Sequence, residues 1–307
     1  VRILVVGAGA VGGYFGAQLA RAGRDVTFLV RPARAEQLRR DGLRVVTPNT
    51  SFTLTPHLAL TGAIDGTYDV VLLATKAYTL DDAIADIAPA VGPQTTIVPL
   101  LNGMRHLDAL IARFGAEPVL GGLCGVVSVL ESDGTIRLLA EAPMVIVYGE
   151  RAGGTSARVA ALDAQLRSAG FDANASPRIM HEMWRKWITL ASLGAINVLT
   201  RGTIGEVEAA GGAPVAWRVI DEAVAVAAAE GFAPAPEAVD GARAYLTAPG
   251  AATTSSLYRD LLAGNRVEGE HIIGDLVERA RAHGLATPLL EAVRVSLRVY
   301  ENGLAAR

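Results

Sequence analysis

The 307-residue chain is long enough for two domains, and its 51% hydrophobic content can bury a large core. A formal net charge of -3 and a pI near 6.0 provide no basic field for nucleic acid or anionic lipid, which leaves small-molecule chemistry as the expectation. The single cysteine, Cys124, excludes an intrachain disulfide and a cysteine-rich metal site; in its Gly-Gly-Leu-Cys-Gly-Val-Val setting it reads as a buried structural thiol.

The chain starts with an apolar β-branched run that enters Gly7-Ala8-Gly9-Ala10-Val11-Gly12 and then a helix-forming segment. Strand, glycine loop and helix in that order give the glycine pattern its meaning as a dinucleotide site. Gly7 permits the tight turn, Gly9 lets a pyrophosphate approach the backbone beside Ala10 and Val11, and Gly12 lets the helix pack closely on the strand. The helix then points its N-terminal amides at the phosphates. A second strand over residues 25–30 ends at Arg31, where an NAD enzyme usually carries a carboxylate for the ribose 2′-hydroxyl. A guanidinium can instead pair with a 2′-phosphate, so the expected cofactor is NADPH/NADP+, with Arg34 as a second contact. The alternative is an ordinary solvated arginine.

Residues 35–41 read as a helix, and 43–46 with 51–54 as an antiparallel excursion around Pro48-Asn49. Residues 69–74 form an unbroken apolar strand that ends in Thr75-Lys76, and Lys76 becomes a cofactor-site candidate because ligands border the carboxyl ends of such strands. A helix over 79–90 leads to a strand over 95–101, which ends in Asn102-Gly103. Asn102 reads equally as a site residue and as a turn residue. Strand-like segments at 126–130, 135–140 and 144–148, separated by Ser132-Asp133-Gly134 and Ala142-Pro143, are expected to extend the sheet as antiparallel edge strands. A helix over 155–169 and a short strand over 171–175 close this half.

Beyond Pro177 the pattern is helical: 181–199, 214–230, 237–246, 255–262, 267–283 and 288–301. The fold class is therefore α/β, with a Rossmann-type dinucleotide-binding domain carrying extra antiparallel strands over 1–176. An all-α substrate domain follows over 177–307. No apolar run reaches the roughly 20 residues of a membrane span and no basic leader is visible, so a cytoplasmic protein is expected. The apolar helical half could support a homodimer.

Lys186 stands in an otherwise apolar, aromatic helix, and Asn197, about three turns on, returns to the same side. A lysine snorkelling from an apolar surface is the plainer alternative. Ser255 or Ser256 either caps a helix or serves a site, and Glu268 opens the next helix, where a carboxylate is favoured electrostatically in any case.

Gly7-Ala8-Gly9-Ala10-Val11-Gly12, Arg31, Thr75-Lys76-Ala77, Leu101-Asn102-Gly103-Met104, Trp184-Arg185-Lys186, Thr254-Ser255-Ser256-Leu257 to Asp260 and Gly284-Leu285-Ala286-Thr287-Pro288 follow one another in the order of the ketopantoate reductase family. The chain resembles that family over its whole length. The resemblance implies NADPH-dependent reduction of 2-dehydropantoate to pantoate in pantothenate synthesis. It implies Lys186 as the catalytic lysine and Glu268 with Ser256 as the acid and serine that hold substrate. Asn102 would lie near the nicotinamide and substrate, with Lys76 and Arg31 on the cofactor. A lysine is cationic at neutral pH, with an ordinary pKa of about 10.4, and can steady a developing alkoxide and donate its proton. Where the family pattern has asparagines one and two turns after the lysine, this chain has Leu190 and Gly194, so Thr189, Ser192 or Asn197 is the expected substitute for substrate binding. Another 2-oxo acid on the same scaffold is the alternative substrate, and a non-catalytic NADPH sensor the alternative function.

Overall fold

The computed structural model describes residues 1–140 and 144–306; the expected turn at Ala142-Pro143 lies outside the described residues. Two units emerge, Val1–Leu101 with His106–Ile179, and Asn102–Arg105 with Met180–Arg307. The boundary expected at residue 176 moves into the first turn of a long helix, and the four residues around Asn102 group with the helical unit.

The first unit runs β1 (Arg2–Val6), α1 (Gly12–Arg21), β2 (Asp25–Val30), α2 (Pro32–Asp41), β3 (Leu43–Val46), β4 (Ser51–Leu54), β5 (His57–Leu60) and β6 (Val70–Leu73). It continues through α3 (Leu80–Ile87), β7 (Thr96–Pro99), α4 (Arg105–Phe114), β8 (Gly121–Gly125), β9 (Ser128–Leu130), β10 (Ile136–Leu138), β11 (Val145–Gly149), α5 (Ala157–Leu166) and β12 (Asp172–Ala175). A parallel sheet is ordered β5-β2-β1-β6-β7. Its central strands are apolar without alternation because both faces are covered: Ile3, Leu4, Val5, Val71, Leu72 and Leu73 are buried. The register sets Val5 opposite Phe28 on one side and Leu72 on the other. The strand order reverses at β1, with β2 to one side and β6 to the other, and in open parallel sheets ligands bind beyond the carboxyl ends of the strands at such a switch point.

The additional strands correct one expectation. They do not extend the parallel sheet, and they are not all antiparallel. One separate sheet is ordered β4-β3-β10-β9, with β10 parallel to β3; another is ordered β12-β11-β8, with β12 parallel to β11. The reason is burial: Ile136 and Leu138 of β10 are in the core, where Ile136 reaches the start of α1 at Gly13. Cys124 is buried and directs its thiol to the Leu100 carbonyl, as a structural cysteine does.

The second unit contains α6 (Ile179–Thr200), α7 (Ile204–Ala209), α8 (Ala213–Ala229), α9 (Pro236–Leu246), α10 (Ser256–Leu262), a π-helical turn (Glu270–Gly274), α11 (Asp275–Ala282) and α12 (Pro288–Ala305). The helix expected over 267–283 is thus a π-turn running into α11. Trp184 and Trp187 of α6 are buried, and Trp184 stacks on Phe232 with centroids 5.7 Å apart. Glu222 of α8 fixes the start of α12 by accepting from the Leu289 and Leu290 amides at 3.0 and 2.9 Å. Among the described residues, no helix is long and apolar enough to cross a membrane.

Candidate active site

Each glycine of the first loop does a different physical job. Gly7 has φ +94°, a conformation that a side chain resists, and its amide donates to Leu29 as the chain leaves β1. A Cβ on Gly12 would overlap the Gly7 carbonyl and lie 2.9 Å from Ala74 Cβ, so α1 can sit this close to the sheet only without one. A Cβ on Gly9 would meet nothing within 4 Å, which leaves the loop backbone open to a ligand. The loop's carbonyls are meanwhile occupied. Arg34 donates to Ala8 at 3.0 and 3.2 Å, Ser128 donates to Ala10 at 2.9 Å, and Gly9 and Val11 accept from Gly13 and Phe15. Amide N–H groups therefore dominate what the loop offers, which suits an anion.

Arg34 does not stand ready as a second 2′-phosphate contact. Its guanidinium also donates to the Gly134 carbonyl and to Gln37, and burial pulls its pKa below the usual arginine value. It braces the loop instead. Arg31 caps α2 at the end of β2, with its side chain 65% exposed and its guanidinium 3.2 Å from Asp82. An exposed pair of this kind is worth little, so a phosphate can compete for Arg31. At the end of β6, Thr75 Oγ1 is buried without a hydrogen-bond partner, and the Thr75 methyl lies 3.5 Å from where a Gly7 Cβ would be. Lys76 follows, exposed, with its carbonyl accepting from Thr79. The open loop and the orphaned hydroxyl fit a bound dinucleotide.

In the helical unit, Lys186 Nζ donates to Asn102 Oδ1 at 2.9 Å. That contact fixes the amide orientation, because an ammonium can only donate, and it leaves Asn102 Nδ2 as a donor. Asn102 is also held through its backbone. The buried imidazole of His271 hydrogen-bonds the Asn102 main chain, and Gly103, at φ +79°, packs so tightly that a Cβ would stand 2.9 Å from the His271 carbonyl oxygen. Burial, assisted by the Arg105 charge, pushes His271 down to about 4; the bond to Asn102 opposes the shift but does not cancel it.

His271 owes its place to the π-turn. Trp187 Nε1 donates to the Ile272 carbonyl at 3.0 Å, tying the turn to the helix that carries Lys186. On the other side, Glu270 receives Arg294 and Arg298 of α12 at 2.9 and 2.7 Å. Burial raises the Glu270 pKa, but the two guanidiniums outweigh it and hold the carboxyl at about 2. π-turns of this kind recur at functional sites.

The remaining residues separate into two groups. Ser255, not Ser256, caps α10, accepting from the Tyr258 amide at 3.1 Å. Ser256 is half-buried, and among the described residues its hydroxyl has no hydrogen bond. Glu268 is half-buried at the entry to the π-turn, where its carbonyl accepts from Ile272. Asn197 is a correction. It is fully buried, its amide donates to Gly202 at 2.8 Å and its carbonyl accepts from the Ser255 amide at 2.8 Å, so it braces the chain before α10 and does not present itself to a substrate. Among the described residues, no cluster of His, Cys, Asp and Glu can hold a metal ion.

Comparison with known proteins identifies the family. The family model for ketopantoate reductase PanE/ApbA matches residues 3–152, and its C-terminal counterpart matches residues 178–301. A Bacillus subtilis protein described as the uncharacterized oxidoreductase YkpB is 36% identical, over 98% of this chain and 99% of its own. The 2-dehydropantoate 2-reductase of Halobacterium salinarum is 30% identical, again over 98% and 99%. The crystal structure of 2-dehydropantoate 2-reductase from Geobacter metallireducens superposes with a TM-score of 0.87 at 28% identity, covering 97% of this chain and 99% of that one. A D-mandelate dehydrogenase solved with NADH and anilino(oxo)acetate shares the fold at a TM-score of 0.88 and 22% identity, over 99% of this chain and all of that one. The chain belongs to the ketopantoate reductase family, whose members are oxidoreductases acting on CH–OH/C=O groups.

Proposed function

We propose that this protein reduces a 2-oxo acid to the 2-hydroxy acid with NADPH. The observation that carries the reading is the Lys186–Asn102 hydrogen bond of 2.9 Å, in which an amide outside α6 holds the ammonium of a half-buried lysine on it. Reduced nicotinamide, when bound, supplies the hydride for the ketone carbon. The Gly7–Gly12 loop holds the pyrophosphate, Arg31 the 2′-phosphate, and Lys76 and Asn102 further parts of the cofactor.

The chain's own residues manage the proton and the substrate. As negative charge builds on the ketone oxygen, Lys186 Nζ stabilises it and gives up a proton to it; Asn102, by accepting from Nζ, keeps the ammonium aimed while Nδ2 donates to the acid. Ser256 binds the substrate carboxylate, and Glu268 orients the ammonium. His271 positions Asn102 and takes no proton in the reaction.

The relatives' names point first to 2-dehydropantoate. A second reading, another 2-oxo acid, is favoured by Leu190 and Gly194 on the helix beyond Lys186. Loss of NADPH absorbance on addition of 2-oxo acids, with identification of the hydroxy acid formed, tests both readings. No oxidation with any acid would reject the function.

A further inference from the structure

This inference rests on the 2-oxo acid reading and concerns what the acid carries beside its ketone. One and two turns after Lys186, the same side of α6 presents Leu190 and Gly194. A glycine inside a helix is destabilising relative to alanine, so its presence asks for a reason. Packing supplies none. Gly194 is buried, its backbone is not in the left-handed region, and a Cβ would meet only Ser255 Oγ, at 3.8 Å, an ordinary contact. Gly269 and Gly274 are held by packing, since a Cβ would come within 3.0 Å of Leu297 and 2.8 Å of Glu270; Gly241 and Gly303, inside α9 and α12, also meet nothing within 4 Å but are exposed, whereas Gly194 is buried. Gly194 therefore leaves room for more than a hydrogen beside Ser255, the neighbour of Ser256.

Thr189, Asn197 and Ser255 are bonded to backbone. Thr189 gives its hydroxyl proton to the Arg185 carbonyl at 3.1 Å, and both ends of the Asn197 amide bond backbone at 2.8 Å. Ser255 Oγ serves as a helix cap; the Ser192 hydroxyl is unpaired but fully buried and, six positions after Lys186, lies on another side of α6. Between Lys186 and Ser256, the helix face offers a bound acid the carbons of Leu190 and the space over Gly194.

We propose that Leu190 and Gly194 form an apolar recess that selects 2-oxo acids with a branched, purely hydrocarbon side chain over acids that carry a hydroxyl there. A matched pair decides it: 3,3-dimethyl-2-oxobutanoate and its 4-hydroxy derivative, 2-dehydropantoate, differ by that hydroxyl alone. A site built to bond a hydroxyl rejects the analogue without it by about 10⁴-fold or more, whereas an apolar recess disfavours the hydroxylated acid by up to about 10²-fold. The kcat/KM of the purified full-length protein is expected to be about tenfold or more higher for the hydrocarbon acid. Filling the recess with Gly194→Leu should lower kcat/KM for that acid about tenfold or more relative to pyruvate. Gly194→Ala, which the space accepts, should move the same ratio in the same direction with an unchanged or higher Tm. A kcat/KM equal for the two acids or greater for 2-dehydropantoate, or a ratio to pyruvate unmoved by both variants, would overturn the recess while leaving the 2-oxo acid reading intact. No turnover with any of the three acids would overturn both.

Discussion

Lys186 and Asn102 are 84 positions apart in sequence and 2.9 Å apart in space, ammonium to amide oxygen. Removing the amide takes away the acceptor that aims the ammonium. Asn102→Ala should therefore lower kcat by about tenfold or more, because misdirection of a positioned group costs rate even when the group itself survives. Steady-state kinetics on the folded variant checks this, and an unchanged kcat would remove Asn102 from the chemistry.

His271 makes the stability of the protein pH-dependent within a defined window. An unfolded histidine takes up its proton near pH 6.5, whereas the folded one, buried at 7% exposure beside Arg105, resists protonation until about pH 4. The unfolded state thus binds more protons between those values. Stability from this group is fully present above pH 6.5 and falls as the pH drops toward 4, by on the order of 3 kcal/mol. Urea midpoints measured across that range should show the slope, and His271→Phe should flatten it. The same variant should also lower kcat, through Asn102, while His271→Gln, which retains a donor, should recover part of the loss.

Arg31 is exposed and only loosely paired with Asp82, so its replacement should leave the fold untouched. Arg31→Ala is expected to raise the KM for NADPH by about tenfold and to change the KM for NADH little, since a charge-assisted bond to one phosphate is at stake. Equal effects on the two cofactors would assign Arg31 another task.

Gly9 and Gly12 separate binding from folding. Gly9→Ala places a methyl where the protein has nothing within 4 Å; Tm should hold while NADPH affinity falls. Gly12→Ala drives a methyl into the Gly7 carbonyl, and a loss of about 1–3 kcal/mol or more in stability should appear by denaturant unfolding. The two variants behaving alike would contradict the distinct roles of these glycines.

What the sequence made legible follows from how local each signal is. β1 and β6 stood out because burial on both faces produces an unbroken apolar run, and the glycine loop because two steric demands, at Gly7 and Gly12, and an open position at Gly9 fall within six residues. The positions of Arg31 and Lys76 just beyond strands were legible from the apolar runs that precede them. α4 was not, since a buried His106 supplies part of its inner face and reads as polar in a sequence. The roles of Arg34 and Asn197 turned on partners that no spacing rule reveals, a carbonyl of the glycine loop and the amide of Ser255. His271 was hidden twice: its partner Asn102 is far away in the chain, and a π-turn has nearly the periodicity of the α-helix it opens. A conspicuous glycine beside it, Gly103, was the one available hint.

The most direct test of a 2-oxo acid reductase that uses Lys186 is to follow NADPH oxidation and 2-hydroxy acid formation together, with the unaltered protein and with Lys186→Ala. The unaltered protein should form one hydroxy acid per NADPH consumed, and the variant, folded and still binding NADPH, should be slower by about 10²-fold or more, as expected for a lost general acid. Equal rates in the two proteins, or NADPH consumption without hydroxy acid, would contradict the assignment.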